Sequence, residues 1–337
     1  CDRRQRQMCI RDSVSTMMGG VSASNLADAA MLSRMMVPEM ERKGYNRAFA
    51  AAITAGGSLV TPIIPPGIAL IIYGLVADVS IGKMFIAGLV PGLLCAVVLM
   101  FTVYLVARKT NAKPSRASWP TGKEVVFSLG QAWPALFLIF AVVGGIRANI
   151  FTPTEAGAVA VLIVLAIGFF IYREMRISHV VKALGETARA TASVMLVIMA
   201  SAALGWIFSM EHAGVAVANF VTSLTENKYM FLLIINILLL TLGMFLEGNA
   251  ILLILVPLLK PVVEHFGIDP VHFGIIMIFN LSIGAFTPPV GTVMLLVCNI
   301  TQVSVGNFFK QSLPLLAALL LMLMLVTYIP AISLFLV

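Results

Sequence analysis

The sequence predicts an all-α polytopic membrane protein built from inverted repeats with re-entrant hairpins and broken helices, and three observations carry that prediction. The first is composition. Hydrophobic residues make up 60% of the 337-residue chain and charged ones 11%, with a mean hydropathy of +1.01, whereas a soluble globular domain holds about 45–50% apolar and about 25% charged residues. The second is a break: Thr61-Pro62-Ile63-Ile64-Pro65-Pro66-Gly67 interrupts an apolar run from Ala48 to Ala77. Its prolines remove amide donors and clash with the preceding turn, so the run reads as two half-helices, each reaching about the middle of a ~30 Å hydrocarbon layer. The third is that the break occurs twice. Thr287-Pro288-Pro289-Val290-Gly291 interrupts Val271 to Thr301, and Pro38 with Pro261, Glu41 with Glu264, Gly44 with Gly267 and Pro65-Pro66 with Pro288-Pro289 share one offset of 223 residues. One residue is then gained, and Val79-Ser80-Ile81-Gly82 matches Val303-Ser304-Val305-Gly306 at 224. Backbone freed at membrane depth is tolerated only inside protein or against a polar cavity, and paired interrupted segments in two halves of a chain point to a transport site.

In chain order, Cys1 to Ser13 carries four arginines with neither an apolar core nor a helical stripe. It reads as a foreign or mistranslated leader joined to an incomplete gene. Ser15 to Ser24 is small and polar, and Asn25 opens a helix to about Met36, a start suited to the tip of a first hairpin. After the first broken helix, Lys83 to Ala107 is a clean span. The basic loop Arg108 to Lys123 follows and is assigned to the cytoplasm. Glu124 to Ile146 spans out, Glu155 to Tyr172 returns, and Thr191 to Met210 leads out again. Tyr229 to Leu246 enters, Glu247-Gly248-Asn249 breaks it, and Ala250 to Val263 returns as the second hairpin. The broken helix Val271 to Thr301 goes in and Gln311 to Val337 exits. The loop after the first hairpin helix then falls inside and the loop after the second outside, so the repeats have opposite orientation. The expected division is residues 1–13 leader, 14–82 first transport repeat, 83–228 scaffold and connecting helices, 229–306 second transport repeat and 307–337 C-terminal transmembrane helix.

Several classes are set aside on the same residues. The net charge of +7 sits in short loops between apolar spans and reads as a topology determinant rather than a nucleic-acid surface. Cys1, Cys9, Cys95 and Cys298 form no disulfide framework. His179, His212, His265 and His272 show no pair at metal spacing, and no Gly-rich phosphate loop suggests an ATPase. An intramembrane hydrolase is the rival from the enzyme class, but no nucleophile motif accompanies the serines, and no enzyme is expected.

Several stretches together resemble the large permease subunit of tripartite ATP-independent periplasmic (TRAP) transporters. They are Ser22 to Ala30, Gly44-Tyr45 before Phe49 to Ala52, Pro62 to Pro66 with Ile71 to Gly74, Phe151 to Ala158, Gly243 to Glu247, Gly267 to Gly274 and Thr287 to Gly291. The resemblance covers nearly everything from about Val14 onward. It implies an elevator-type secondary transporter of the bacterial inner membrane, driven by sodium and taking up organic acids such as C4-dicarboxylates or sialic acid. It also implies two partners, a small four-helix membrane subunit and a periplasmic substrate-binding protein, with membrane lipid around the chain. Another ion-coupled anion transporter of similar fold is the alternative. Gly56-Gly57 and Gly67 stand where Ser-like residues are expected, and Gly248-Asn249 where many members carry Asp-Pro.

No organic cofactor is expected; sodium is the coupling ion. Sodium takes five or six hard oxygen ligands, which unwound carbonyls beside Ser, Thr, Asn or acidic side chains supply. In the first repeat the candidates are Ser22, Ser24, Asn25, Asp28, Ser58 and Thr61, and in the second Glu247, Asn249, Asn280, Ser282 and Thr287. The alternative is that the hydroxyls bond their own helix backbone and Asn280 bonds a neighbouring helix. An anionic substrate would meet half-helix N-termini near Pro66, Gly67, Pro289 and Gly291, where amides and helix dipole both favour it.

Overall fold

A computed structural model of the chain describes residues 24–42, 44–109, 150–173, 175–211 and 225–337, with isolated positions between 127 and 148 and at 223. Cys1 to Ser13, Ser22 and most of the basic loop lie outside the described residues. Among the described residues all regular structure is helical. The helices are, in order, α1 (Asn25–Arg42), α2 (Arg47–Ser58), α3 (Ile68–Ala77) and α4 (Ile81–Lys109); α5 (Pro153–Ala166), which runs into a π-turn at Ile167–Ile171, and α6 (Ile177–Met210) follow. Then come α7 (Lys228–Phe245), α8 (Gly248–His265), α9 (Pro270–Phe286), α10 (Thr292–Thr301), α11 (Val305–Tyr328) and the short α12 (Ala331–Leu334). Four helices, α4, α7, α8 and α11, are long and apolar enough to cross a bilayer by length and composition. The chain is an all-α, multi-pass membrane protein.

The repeats match in local chemistry as well as in order. Helix α1 continues through Pro38 to Arg42, and Gly44 beyond it has a φ of +87°. Gly267 stands likewise after α8 at φ +60°. At these ends Gly44 N donates to Glu41 O and Tyr45 N to Met40 O, while Gly267 N donates to Glu264 O and Ile268 N to Val263 O. A glycine in this conformation lets the last carbonyls of a helix be satisfied without a Cβ penalty. The next helices are capped at matching positions: Asn46 accepts from Ala48 N at 2.8 Å, and Asp269 from Val271 N at 2.8 Å and His272 N at 3.1 Å. Both Pro-Pro bonds, 65–66 and 288–289, are cis, and both second half-helices end on a left-handed residue, Asp78 and Gln302.

Packing interlocks the two repeats. Helix α1 lies on α10, the second half of the other repeat's broken helix, and α8 lies correspondingly on α3. Tyr73 near the end of α3 donates to the Pro270 carbonyl at the start of α9, 2.7 Å away, and its ring fills the space over Gly274, where an added Cβ would stand 2.4 Å from it. The arms of the second hairpin diverge from their joint at Leu246 and Glu247, α7 packing chiefly on α9 and α8 on α3. One apolar core runs through these helices; its largest buried side chains include Phe231, Phe273, Phe279, Phe286 and Phe308.

One stretch differs from expectation. The stretch between the expected spans Glu155–Tyr172 and Thr191–Met210, with Arg173, Arg176, Lys182 and Arg189 read as lying inside, becomes helical at Ile177, and α6 then runs unbroken for 34 residues. Lys182, Ala183, Leu184, Glu186, Ala188 and Arg189 are good helix formers, and a Lys182–Glu186 pair at 3.9 Å supports the helix at i,i+4 spacing.

Candidate transport site

Where the starts of α1 and α8 meet the two helix breaks, the structure holds a cavity of about 40 Å³. Each wall comes from a feature that interrupts a helix. Asn25 and Leu26 open α1, Ala69 stands in the first turn of α3 with Pro62 of the break beside it, Gly248 and Asn249 open α8, and Thr292 opens α10. Four helix N-termini, two from each repeat, therefore converge on one space. Each carries the partial positive charge of unsatisfied amides, roughly half an elementary charge per helix. One face of α9 closes the cavity with Ile278, Leu281, Ser282 and Ala285. Among the described residues the lining contains no Lys or Arg; Glu247 is its one ionisable side chain.

Glu247 and Ser24 occupy equivalent positions as N-caps. The Glu247 carboxylate accepts from Ala250 N at 3.0 Å and from Asn249 Nδ2 at 2.8 Å, and Ser24 Oγ lies 3.5 Å from Ala27 N. Below the first tip, Asp28 is 2% exposed and accepts a 2.6 Å hydrogen bond from Thr61 Oγ1, tying α1 to the first break. No other carboxylate stands among the buried polar side chains of the described residues.

Of the residues expected to bind sodium, the cavity brings together Asn25, Glu247, Asn249 and Ser282. Asp28 and Thr61 form the separate buried pair. Three hydroxyls bond their own helix or turn: Ser58 donates to Ala55 O at 2.8 Å, Ser282 to Ile278 O at 2.8 Å and Thr287 to Ile283 O at 2.7 Å. Asn280 points away from the cavity and donates to Asn236 Oδ1 on α7. Among the residues expected to meet substrate, the Gly291 amide donates to Met244 O at 2.8 Å, joining the second break to the hairpin arm. A Cβ on Gly67 would lie 2.4 Å from Pro62 O. Pro66 is half-buried and Pro289 exposed. Thr292 and Ala69, missed in the sequence, are the residues that present the α10 and α3 ends to the cavity; the start of each second half-helix, just after its break, was the available signal.

A cavity ringed by helix N-termini from two interlocked repeats, inside a multi-pass helical protein, defines a membrane transport protein of the broken-helix kind. Comparison with known proteins gives the particular kind. Residues 12–332 match the family described as the tripartite ATP-independent periplasmic transporter, DctM component. The sialic acid TRAP transporter large permease of Vibrio cholerae is 38% identical over 96% of this chain and 75% of its own length. The C4-dicarboxylate large permease of Pseudomonas aeruginosa is 40% identical over 93% and 73%, and the isethionate permease of Oleidesulfovibrio alaskensis is 37% identical over 94% of this chain and 49% of that protein. The chain belongs to the DctM family of TRAP transporter large permeases.

Proposed function

We propose that the chain is the carrier of a sodium-coupled uptake system for an organic acid in the bacterial inner membrane. It receives its substrate from a periplasmic binding protein and works with a small membrane subunit. The observation that carries this reading is the convergence of four helix N-termini on a cavity without a basic side chain. At α8 the Glu247 carboxylate already meets the helix end, and the ends of α1, α3 and α10 are the ones that favour a carboxylate or sulfonate, each by about 0.3–2 kcal/mol. Sialic acid, C4-dicarboxylates and isethionate, for which relatives are named, each carry such a group. Sodium is assigned to two places, the Asn25, Glu247, Asn249 and Ser282 oxygens at the cavity and the Asp28–Thr61 pair beneath it. A cation held there joins the hairpin tips and completes the anion site, so ion and substrate raise each other's affinity by the same factor.

The test is uptake into proteoliposomes holding the full-length permease, its small subunit and loaded binding protein. Uptake should follow an inward sodium gradient and collapse when a sodium ionophore dissipates it. Uptake driven equally well without sodium would overturn the coupling, and failure to move any organic acid would overturn the transport reading.

A further inference from the structure

The face of α9 turned away from the cavity carries a buried polar chain. Asn280 donates to Asn236 Oδ1 on α7, and Asn236 Nδ2 donates to Thr327 Oγ1 on α11 at 3.1 Å. The Thr327 carbonyl lies 3.3 Å from His272 Nε2, and His272 Nδ1 lies 2.6 Å from Ser333 Oγ on α12. All five side chains are at most 2% exposed, and the chain ends at Asn280 Oδ1, which is buried without a hydrogen-bond partner. At 3.6 residues per turn, Asn280 stands on the opposite side of α9 from Ile278, Leu281, Ser282 and Ala285, which line the cavity. One turn further along, Gly284 rests against the backbone of Gly243 on α7.

Such an arrangement ties the depth of α9 to its bonds. Sliding α9 by one turn past α7 and α11 would part Asn280 from Asn236 and His272 from the Thr327 carbonyl, and each unmade bond of this kind is costly. Buried polar groups are best attested as devices that fix register. We propose that Asn236, Asn280 and Thr327 form a register lock for α9 and are positioning residues for the transport site: they set the height of the Ser282 face and the second break against the hairpin tip. Asn280 acts on the cavity through α9, not as a ligand. The inference rests on the cavity being the transport site, but not on sodium being the ion.

The test uses the full-length permease reconstituted with its partner subunits and reads two quantities other than stability. One is the half-saturating substrate concentration at a fixed driving force. The other is the rate at which Ser282→Cys is modified by a small thiol reagent. Asn236→Leu and Thr327→Val should each raise the half-saturating concentration roughly three- to tenfold, the scale of one lost hydrogen bond, and change the Ser282→Cys rate, with maximal uptake within about twofold of wild type. Thr327→Ser keeps the hydroxyl that accepts from Asn236 Nδ2 and should restore most of the affinity lost in Thr327→Val. If Asn236→Leu fails to accumulate in the membrane, Thr327→Val carries the test. Variants that lower thermal stability while leaving both readouts unchanged would reduce the chain to a packing feature and overturn the proposal. A shift on Asn280→Leu with Asn236→Leu and Thr327→Val silent would do so as well, by making Asn280 a direct ligand. Loss of sodium dependence in the wild type would count against the coupling alone, since neither readout uses it.

Discussion

Replacing Gly284 by Ala tests the closest helix contact beside the site. Helices α7 and α9 meet where Gly243 faces Gly284, and a Cβ on Gly284 would stand 2.7 Å from both the carbonyl carbon and the Cα of Gly243. The opposing atoms are backbone, so no rotamer change relieves the clash, and the helices must part by about 0.7–1 Å to restore ordinary contact. Overpacking of this kind costs about 3 kcal/mol at the upper end of its range, and Ala for Gly in a helix returns up to about 1 kcal/mol. The net loss is about 2 kcal/mol, or roughly 3 °C in melting temperature for a chain of 337 residues. Gly243→Ala is the internal control. Its Cβ would meet Gly284 Cα at 3.2 Å and Leu281 Cα at 3.4 Å, a strain of about 1 kcal/mol that the propensity gain nearly cancels. Thermal unfolding of the detergent-solubilised protein should rank wild type and Gly243→Ala close together with Gly284→Ala well below, and uptake should fall in the same order. A Gly284→Ala protein melting within about 1 °C of wild type, or a Gly243→Ala protein that is the less stable of the two, would refute the packing argument.

Three further outcomes follow from the geometry. Thr61→Val removes the donor to the buried Asp28 carboxylate and should cost about 1.5–3 kcal/mol, while Thr61→Ser keeps the hydroxyl and should cost less than about half of that, read as melting temperatures. Asn46→Ala and Asp269→Ala strip the equivalent caps of α2 and α9 and should each cost about 1 kcal/mol; a large effect at one and none at the other would break the equivalence of the repeats. Single cysteines at Glu41 and Glu264, equivalent and exposed positions, should label with a membrane-impermeant thiol reagent from opposite sides. Labelling of both from one side would contradict inverted orientation.

Much of this architecture was legible because the repeats keep their punctuation. Gly44 and Gly267, Asn46 and Asp269 and the two Pro-Pro pairs hold the same offset in sequence and do the same local work in structure, since left-handed turns, caps and breaks each demand particular residues. The added residue also finds its place: α3 starts at Ile68 and α10 at Thr292, so it falls between the second proline pair and the following half-helix. Asn25, Glu247, Asn249 and Ser282 could be named beforehand because polar residues beside a break in an apolar run stand out. Orientation around a helix could not be read so easily. Asn280 and Ser282 look equivalent in sequence, yet two residues of α-helix turn one toward α7 and the other toward the cavity. Asn236 gave no signal, being a lone amide in the run from Tyr229 to Leu246 whose partners come from helices distant in sequence. Helix α6 was cut short in the reading because charge was taken as loop, whereas exposed charged residues at i,i+4 spacing extend a helix beyond the membrane.

The central claim is that elements of both inverted repeats enclose one substrate. Single cysteines replacing Asn25, from the first repeat, and Asn249, from the second, test it most directly in the full-length reconstituted permease. Both cysteines should react with a small thiol reagent, and transported acid with sodium should slow both reactions over the same concentration range. Protection of one position alone, or of neither at concentrations that saturate uptake, would contradict it.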